Sequence, residues 1–157
     1  MKKLFFALLI PLAITSCKET AGNDPVLKAP VDSLIKSFSD GWNNHDSAAV
    51  RNLFATDALL SDDNLIAVNA GEISGKWISP NIRMLSGFKA TKLQDWSTND
   101  RASYTGKYEF DVVVNDSVVA KPRGVFTLIW KKSVEGNWEI TSATIHSFIN
   151  KNDQPLL

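Results

Sequence analysis

In the stretch VDSLIKSFSDGW, apolar residues recur at steps of three and four: Val31, Leu34, Ile35, Phe38 and Trp42. That spacing lines one face of a helix, with Pro30 at its first turn and an end near Asn43-Asn44. Asp46 is placed to cap a second helix, whose buried side is Val50, Leu53 and Phe54. Ala58 to Ser61 reads as a short strand, Asp62-Asp63-Asn64 as a turn or bulge, and Leu65 to Val68 as the strand resumed. Gly75 precedes a third helical segment, Lys76 to Leu85, with Trp77, Ile78, Ile82 and Leu85 apolar and Pro80 as an interruption. From Lys89 the pattern becomes that of strands. Lys92 to Ser97 is one, and Arg101 to Val114 is a long one in which Tyr104, Tyr108, Phe110 and Val112 alternate with polar residues. The turn pair Asn115-Asp116 leads to Val118–Lys132, and Glu135-Gly136 leads to Trp138–Phe148. Two helices, a strand, a helix and a four-stranded meander make an α+β order.

Pairing assigns faces. A two-residue hairpin at Asn115-Asp116 sets Tyr108 opposite Arg123 and Tyr104 opposite Thr127. A second at Glu135-Gly136 sets Thr127 opposite Thr144, Ile129 opposite Ser142 and Val125 opposite His146. Opposite residues share a face. One face then carries Tyr104, Tyr108, Arg123, Val125, Thr127, Ile129, Trp138, Ile140, Ser142, Thr144 and His146. Its hydroxyls, guanidinium and imidazole among rings suit a cavity or a satisfied polar network. Trp42 is a candidate floor for that cavity, and Tyr104, Tyr108, Arg123, Thr127, Thr144 and His146 are candidate ligand contacts. The other face carries Phe126, Leu128, Trp130, Ala143 and Ile145 and is expected to be covered by a second copy, giving a homodimer through the sheet. A one-residue bulge would exchange the two faces.

Candidate chemistry is sparse. An imidazole is the side chain suited to both proton states at neutral pH, and His146, Tyr108 and Asp62 are the candidate catalytic residues. Arg123 can clamp a carboxylate or pair with Glu109 or Asp111. His45 falls in the loop between helices and is expected in solvent. Two distant histidines and Asp62-Asp63 do not make a metal site, and no nucleophile motif, phosphate loop or zinc pattern occurs. No cofactor is expected. With 17 basic and 17 acidic side chains there is no basic surplus to point to nucleic acid.

Lys2 and Lys3 precede an apolar run, Leu4 to Ile14, too short to span a bilayer and suited to a signal peptide. The one cysteine, Cys17, follows it directly. Ile14-Thr15-Ser16-Cys17 resembles the lipobox of bacterial lipoproteins, and that resemblance implies cleavage before Cys17 and acylation of it. Several acyl chains give stable membrane anchoring. Cys17-Lys18-Glu19 resembles, with one acid only, the signal of Bacteroidetes lipoproteins sent to the cell surface. The expected organisation is a signal peptide at 1–16, a lipidated cysteine and flexible tether at 17–30, one folded domain at 31–150 and a tail at 151–157. The expected location is the cell envelope, on the outer membrane.

From Val31 to Phe148 the chain resembles the nuclear transport factor two-like superfamily, in its SnoaL-like branch. The resemblance rests on FSDGWNNHDSAAVRNLFATDALLSD, ISGKWISPNI and RGVFTLIWKKSVEGNWEI, in that order. It implies a curved, mixed or antiparallel sheet wrapped around three N-terminal helices as a cone with a pocket, and frequent dimerisation through the sheet. The ketosteroid isomerase branch uses a strand aspartate as base, which matches Asp62 by position. It also uses a tyrosine on the first helix, where this chain has Phe38, and an acid on a late strand, which is missing near Phe126 and Thr127. Without those oxyanion donors isomerase chemistry is disfavoured unless Tyr104, Tyr108 or Arg123 replaces them. The leading expectation is an envelope lipoprotein binding a small, partly apolar ligand or a protein partner. The alternative is an isomerase, cyclase, dehydratase or hydrolase working by acid–base chemistry in the cone.

Overall fold

A computed structural model describes residues 28–148. The expected signal peptide, Cys17, most of the tether and the 151–157 tail lie outside the described residues. Among those described, no helix is long and apolar enough to cross a membrane.

Helix α1, Val31–Asn43, buries Val31, Phe38, Gly41 and Trp42. Helix α2, Ser47–Asn52, starts at Asp46, whose carboxylate accepts from the amide of Ala49 at 2.8 Å. Strand β1 (Phe54–Asp62) turns through Asp63-Asn64 into β2 (Leu65–Ala67), so Asp62 pairs with Leu65. The next helical segment begins earlier than its apolar pattern suggests. Asn69 caps α3 (Ala70–Ile73), a π-helical stretch follows at Ser74–Ile78, and α4 (Ser79–Asn81) ends it. Gly75 lies inside this run, and Leu85 belongs to the next strand. Pro80 lacks an N–H and crowds the carbonyl four residues back. The wider π turn just before it relieves that conflict.

Strands β3 (Leu85–Ser97), β4 (Arg101–Val114), β5 (Ser117–Ala120), β6 (Arg123–Lys132) and β7 (Trp138–Ser147) complete the sheet. Its order is β2-β1-β7-β6-β4-β3, with β5 on β4. β1 runs parallel to β7 and the other pairs are antiparallel, so the sheet is mixed. It curls around the helices as a half-barrel, and the α+β cone expected from the sequence is the architecture observed.

The register of β4 differs from the expectation by one residue. Tyr108 pairs with Gly124 and Tyr104 with Leu128, while Thr127 pairs with Thr105. The cause is a bulge in the β4–β5 hairpin: Val113 pairs with Val118 but Val112 with Ala120, leaving Val119 extra. One inserted residue reverses every side chain beyond it. The β6–β7 register is as expected from Gly124 to Ile129, but a bulge after Ile129 sets Ile140 opposite Trp130, and so with the inner residues.

Two glycines permit the tight curl at the tyrosines. A Cβ on Gly124 would lie 2.1 Å from the carbonyl oxygen of His146 and 2.7 Å from Cε1 of Tyr108. A Cβ on Gly106 would lie 2.5 Å from Cε1 of Tyr104. Each phenol ring therefore lies over bare backbone on the inner face.

Candidate functional site

Phe126, Leu128, Trp130, Ala143 and Ile140, all buried, point at the helices together with Tyr104 and Tyr108. They form the concave inner face, where the sequence reading had placed a covering second copy. Arg123, Thr127, Thr144 and His146 point the other way, onto the convex face, so the seven expected ligand contacts do not share one cavity. Thr127 bonds to Thr105, hydroxyl to hydroxyl, at 2.9 Å. His146 is largely exposed, and its Nδ1 lies 3.3 Å from Oδ1 of Asp63. Arg123 pairs with neither expected acid, because Glu109 is held by Lys89 at 3.2 Å and Asp111 by Lys121 at 3.3 Å.

The depth of the cone is filled by rings. Trp42 packs edge-on against Trp77 with centroids 4.8 Å apart, Phe38 meets Phe88 at 5.7 Å, and Tyr104 meets Phe126 at 5.6 Å. Trp42 is thus part of this packing, and its indole nitrogen is buried without a hydrogen-bond partner.

Polar groups gather instead at the rim, where β1 and β7 end and β6 begins. Asp62 points inward from the last position of β1 and accepts from the indole N–H of Trp77 at 2.7 Å. Burial raises the Asp62 carboxyl above its ordinary value, the Trp77 hydrogen bond opposes the rise, and the adjacent Asp63 adds to it. Tyr108 shares a 2.9 Å hydrogen bond with the hydroxyl of Ser147. Burial pushes the phenol up, the bond to Ser147 works against this, and the charges of Asp62 and Asp63 push it further. Asp63, in the turn with φ 45°, accepts from the amide of Ser147 at 3.2 Å and so ties the β1–β2 turn to the end of β7.

Of the three candidate catalytic residues, Asp62 and Tyr108 therefore share the inner rim, and His146 lies across the sheet from them. Sequence reading missed two members of the rim. Trp77 reads from the sequence only as an apolar position of the third helical segment; it is buried in the core, and its indole N–H also reaches Asp62. Ser147 follows from the pairing that put Val125 opposite His146, since the next pair is Gly124 with Ser147. His45 is exposed, as expected, and its Nδ1 also bonds to the carbonyl oxygen of Ile82 at 2.5 Å.

Among the described residues, no group of three or more His, Cys, Asp or Glu side chains is arranged for a metal ion. No protein-family model matches the chain, and no curated protein matches it. Solved structures do. A ketosteroid isomerase-like protein from Erwinia carotovora atroseptica is 14% identical, with a TM-score of 0.66 over 76% of this chain and 95% of that one. A nuclear transport factor 2 (NTF2-like) superfamily protein from Salmonella enterica Typhimurium is 11% identical, with a TM-score of 0.65 over 81% and 94%. A protein of unknown function with a cystatin-like fold from Nostoc punctiforme is 15% identical, with a TM-score of 0.61 over 81% and 92%. At these identities the likeness is one of architecture: residues 28–148 are built as an NTF2-like cone, closed in its depth by its own aromatic side chains.

Proposed function

We propose that this chain is an envelope lipoprotein, anchored through Cys17, whose cone domain binds a small, partly apolar ligand at the rim. The observation that carries this reading is the grouping of Asp62, Trp77, Tyr108 and Ser147 on the inner rim, above a core already occupied by rings. A carboxylate accepts from a ligand hydroxyl, the paired hydroxyls of Tyr108 and Ser147 both donate and accept, and the surrounding rings take an apolar body. The centre of the convex sheet face is the surface for a second copy. Its central rows, Trp96-Ser103-Ile129-Ser142-Leu59 and Gln94-Thr105-Thr127-Thr144-Ser61, carry no charge.

The test is a titration of the full-length chain with 2-naphthol, followed by tryptophan fluorescence. Saturable binding that weakens at least tenfold in Asp62→Ala supports the reading. An absent response, or unchanged affinity in the variant, contradicts it. For the anchor, Cys17→Ser is expected to leave the domain folded and release it from the membrane fraction. Retention in that fraction contradicts it.

One observation favours a second reading, an acid–base enzyme. Asp62 is partly buried with a raised proton affinity, as a general base working near neutrality requires. Deuterium exchange next to the carbonyl of a cyclic enone, lost in Asp62→Ala, supports it. Exchange no faster than in buffer contradicts it.

A further inference from the structure

Lys107 and Arg123 stand on adjacent strands of the convex face, diagonal to one another: Lys107 pairs with Val125, and Arg123 with Glu109. Among the described residues neither takes part in an ion pair. The acid directly opposite Arg123 is already engaged, since Glu109 lies 3.2 Å from the Lys89 amine. Lys107 and Arg123, at a diagonal separation of roughly 7–8 Å between backbones, and Lys89 together face the single carboxylate of Glu109, so the patch carries a net positive charge.

A depression of about 300 Å³ opens between them. That is the lower end of the volumes of small-molecule sites, roughly 300–1,000 Å³. Thr91, paired to Lys107, adds a hydroxyl to its wall. Phe148 adds a half-exposed ring beside Arg123, held there by a 2.8 Å bond from its amide to the Arg123 carbonyl. Tyr108, Gly124 and Glu109, whose carboxylate the Lys89 amine holds, complete the lining.

We infer that this depression is a second site, on the convex side of the sheet and sharing only Tyr108 with the rim, for a small organic anion: a carboxylate carried on a flat apolar body. The guanidinium offers a planar fork of donors that matches a carboxylate, and the lysine supplies a compact second charge. Thr91 donates a further hydrogen bond, and the ring of Phe148 packs on the ligand body.

The test is an amide chemical-shift titration of the full-length chain with benzoate, with benzamide as the uncharged isostere. Saturable shifts at Thr91, Lys107, Arg123 and Phe148 are expected with benzoate and not with benzamide. Arg123→Ala and Lys107→Ala are each expected to weaken benzoate at least tenfold with unchanged melting temperature, both side chains being exposed. Phe148→Ala is expected to weaken benzoate more than acetate. Benzamide binding as tightly as benzoate, benzoate affinity unchanged in the double variant, or no saturable shift in the natural chain would each overturn the inference.

Discussion

The indole nitrogen of Trp77 donates to Oδ2 of Asp62 across 2.7 Å, joining the π-helical turn to the last residue of β1. Asp62 is therefore both the inward carboxylate of the rim and the group that fixes Trp77 against Trp42. The two roles pull its charge in opposite directions. Burial disfavours the ionised form, and the indole N–H favours it, with burial the larger effect.

A pH dependence follows. The folded state holds the Asp62 proton more tightly than the unfolded chain, whose carboxyl titrates near 3.8. Folding is then opposed by ionisation, and the contribution of Asp62 to stability falls as pH rises from about 3.8 through its raised value. Asp62→Asn keeps an acceptor for Trp77 and removes the charge. Its melting temperature should exceed that of the natural chain at pH 7, and the advantage should vanish below pH 3.8. Thermal melts of both proteins across pH 3 to 7 check the sign.

The bulge at Gly87-Phe88 depends on one side chain from α1. Asn43 accepts from the Phe88 amide at 2.7 Å and donates to its carbonyl at 3.0 Å, replacing the ladder partners that β4 cannot offer there. Asn43→Ala leaves both groups without a partner and should cost about 1–3 kcal/mol. Denaturant unfolding measures it.

Gly124→Ala tests the register directly. The new methyl meets the His146 carbonyl and the Tyr108 ring, so a loss of about 1–3 kcal/mol or more is expected. If Tyr108 instead faced Arg123, the clash with the His146 carbonyl would remain and Tyr108→Ala would relieve none of the loss, whereas in the observed register the double variant recovers part of it.

The two late tryptophans should behave differently. Trp130 is 1% exposed, and Trp130→Ala should cost about 3–5 kcal/mol. Trp138 is only partly buried, packed against the core, with Lys132 positioned over its ring at 6.0 Å. Trp138→Ala should cost less than Trp130→Ala in the same unfolding assay.

Periodicity made the elements legible. α1, the Asp46 cap and the long strands follow from residue spacing and local chemistry alone. The β6–β7 register was legible as far as Ile129 because the turn count sets it. What stayed hidden was a single inserted residue, Val119, in a run of valines that alternates equally well in either register. The candidate site inherited that error: its tyrosines were right as ring residues of the inner wall, and its arginine, threonines and histidine were on the opposite face. The parallel pairing of β1 with β7 was also hidden, because partners 83 to 86 residues apart carry no local signal of adjacency.

The central claim is that the cone is closed in depth and open to a ligand at its rim. A chemical-shift map of the 2-naphthol complex tests it most directly. The account predicts saturable changes at Asp62, Trp77, Tyr108 and Ser147, with Phe38, Trp42 and Phe126 unmoved. Shifts centred on Phe38, Trp42 and Phe126, with the rim unmoved, would contradict it and place the ligand in the depth of the cone.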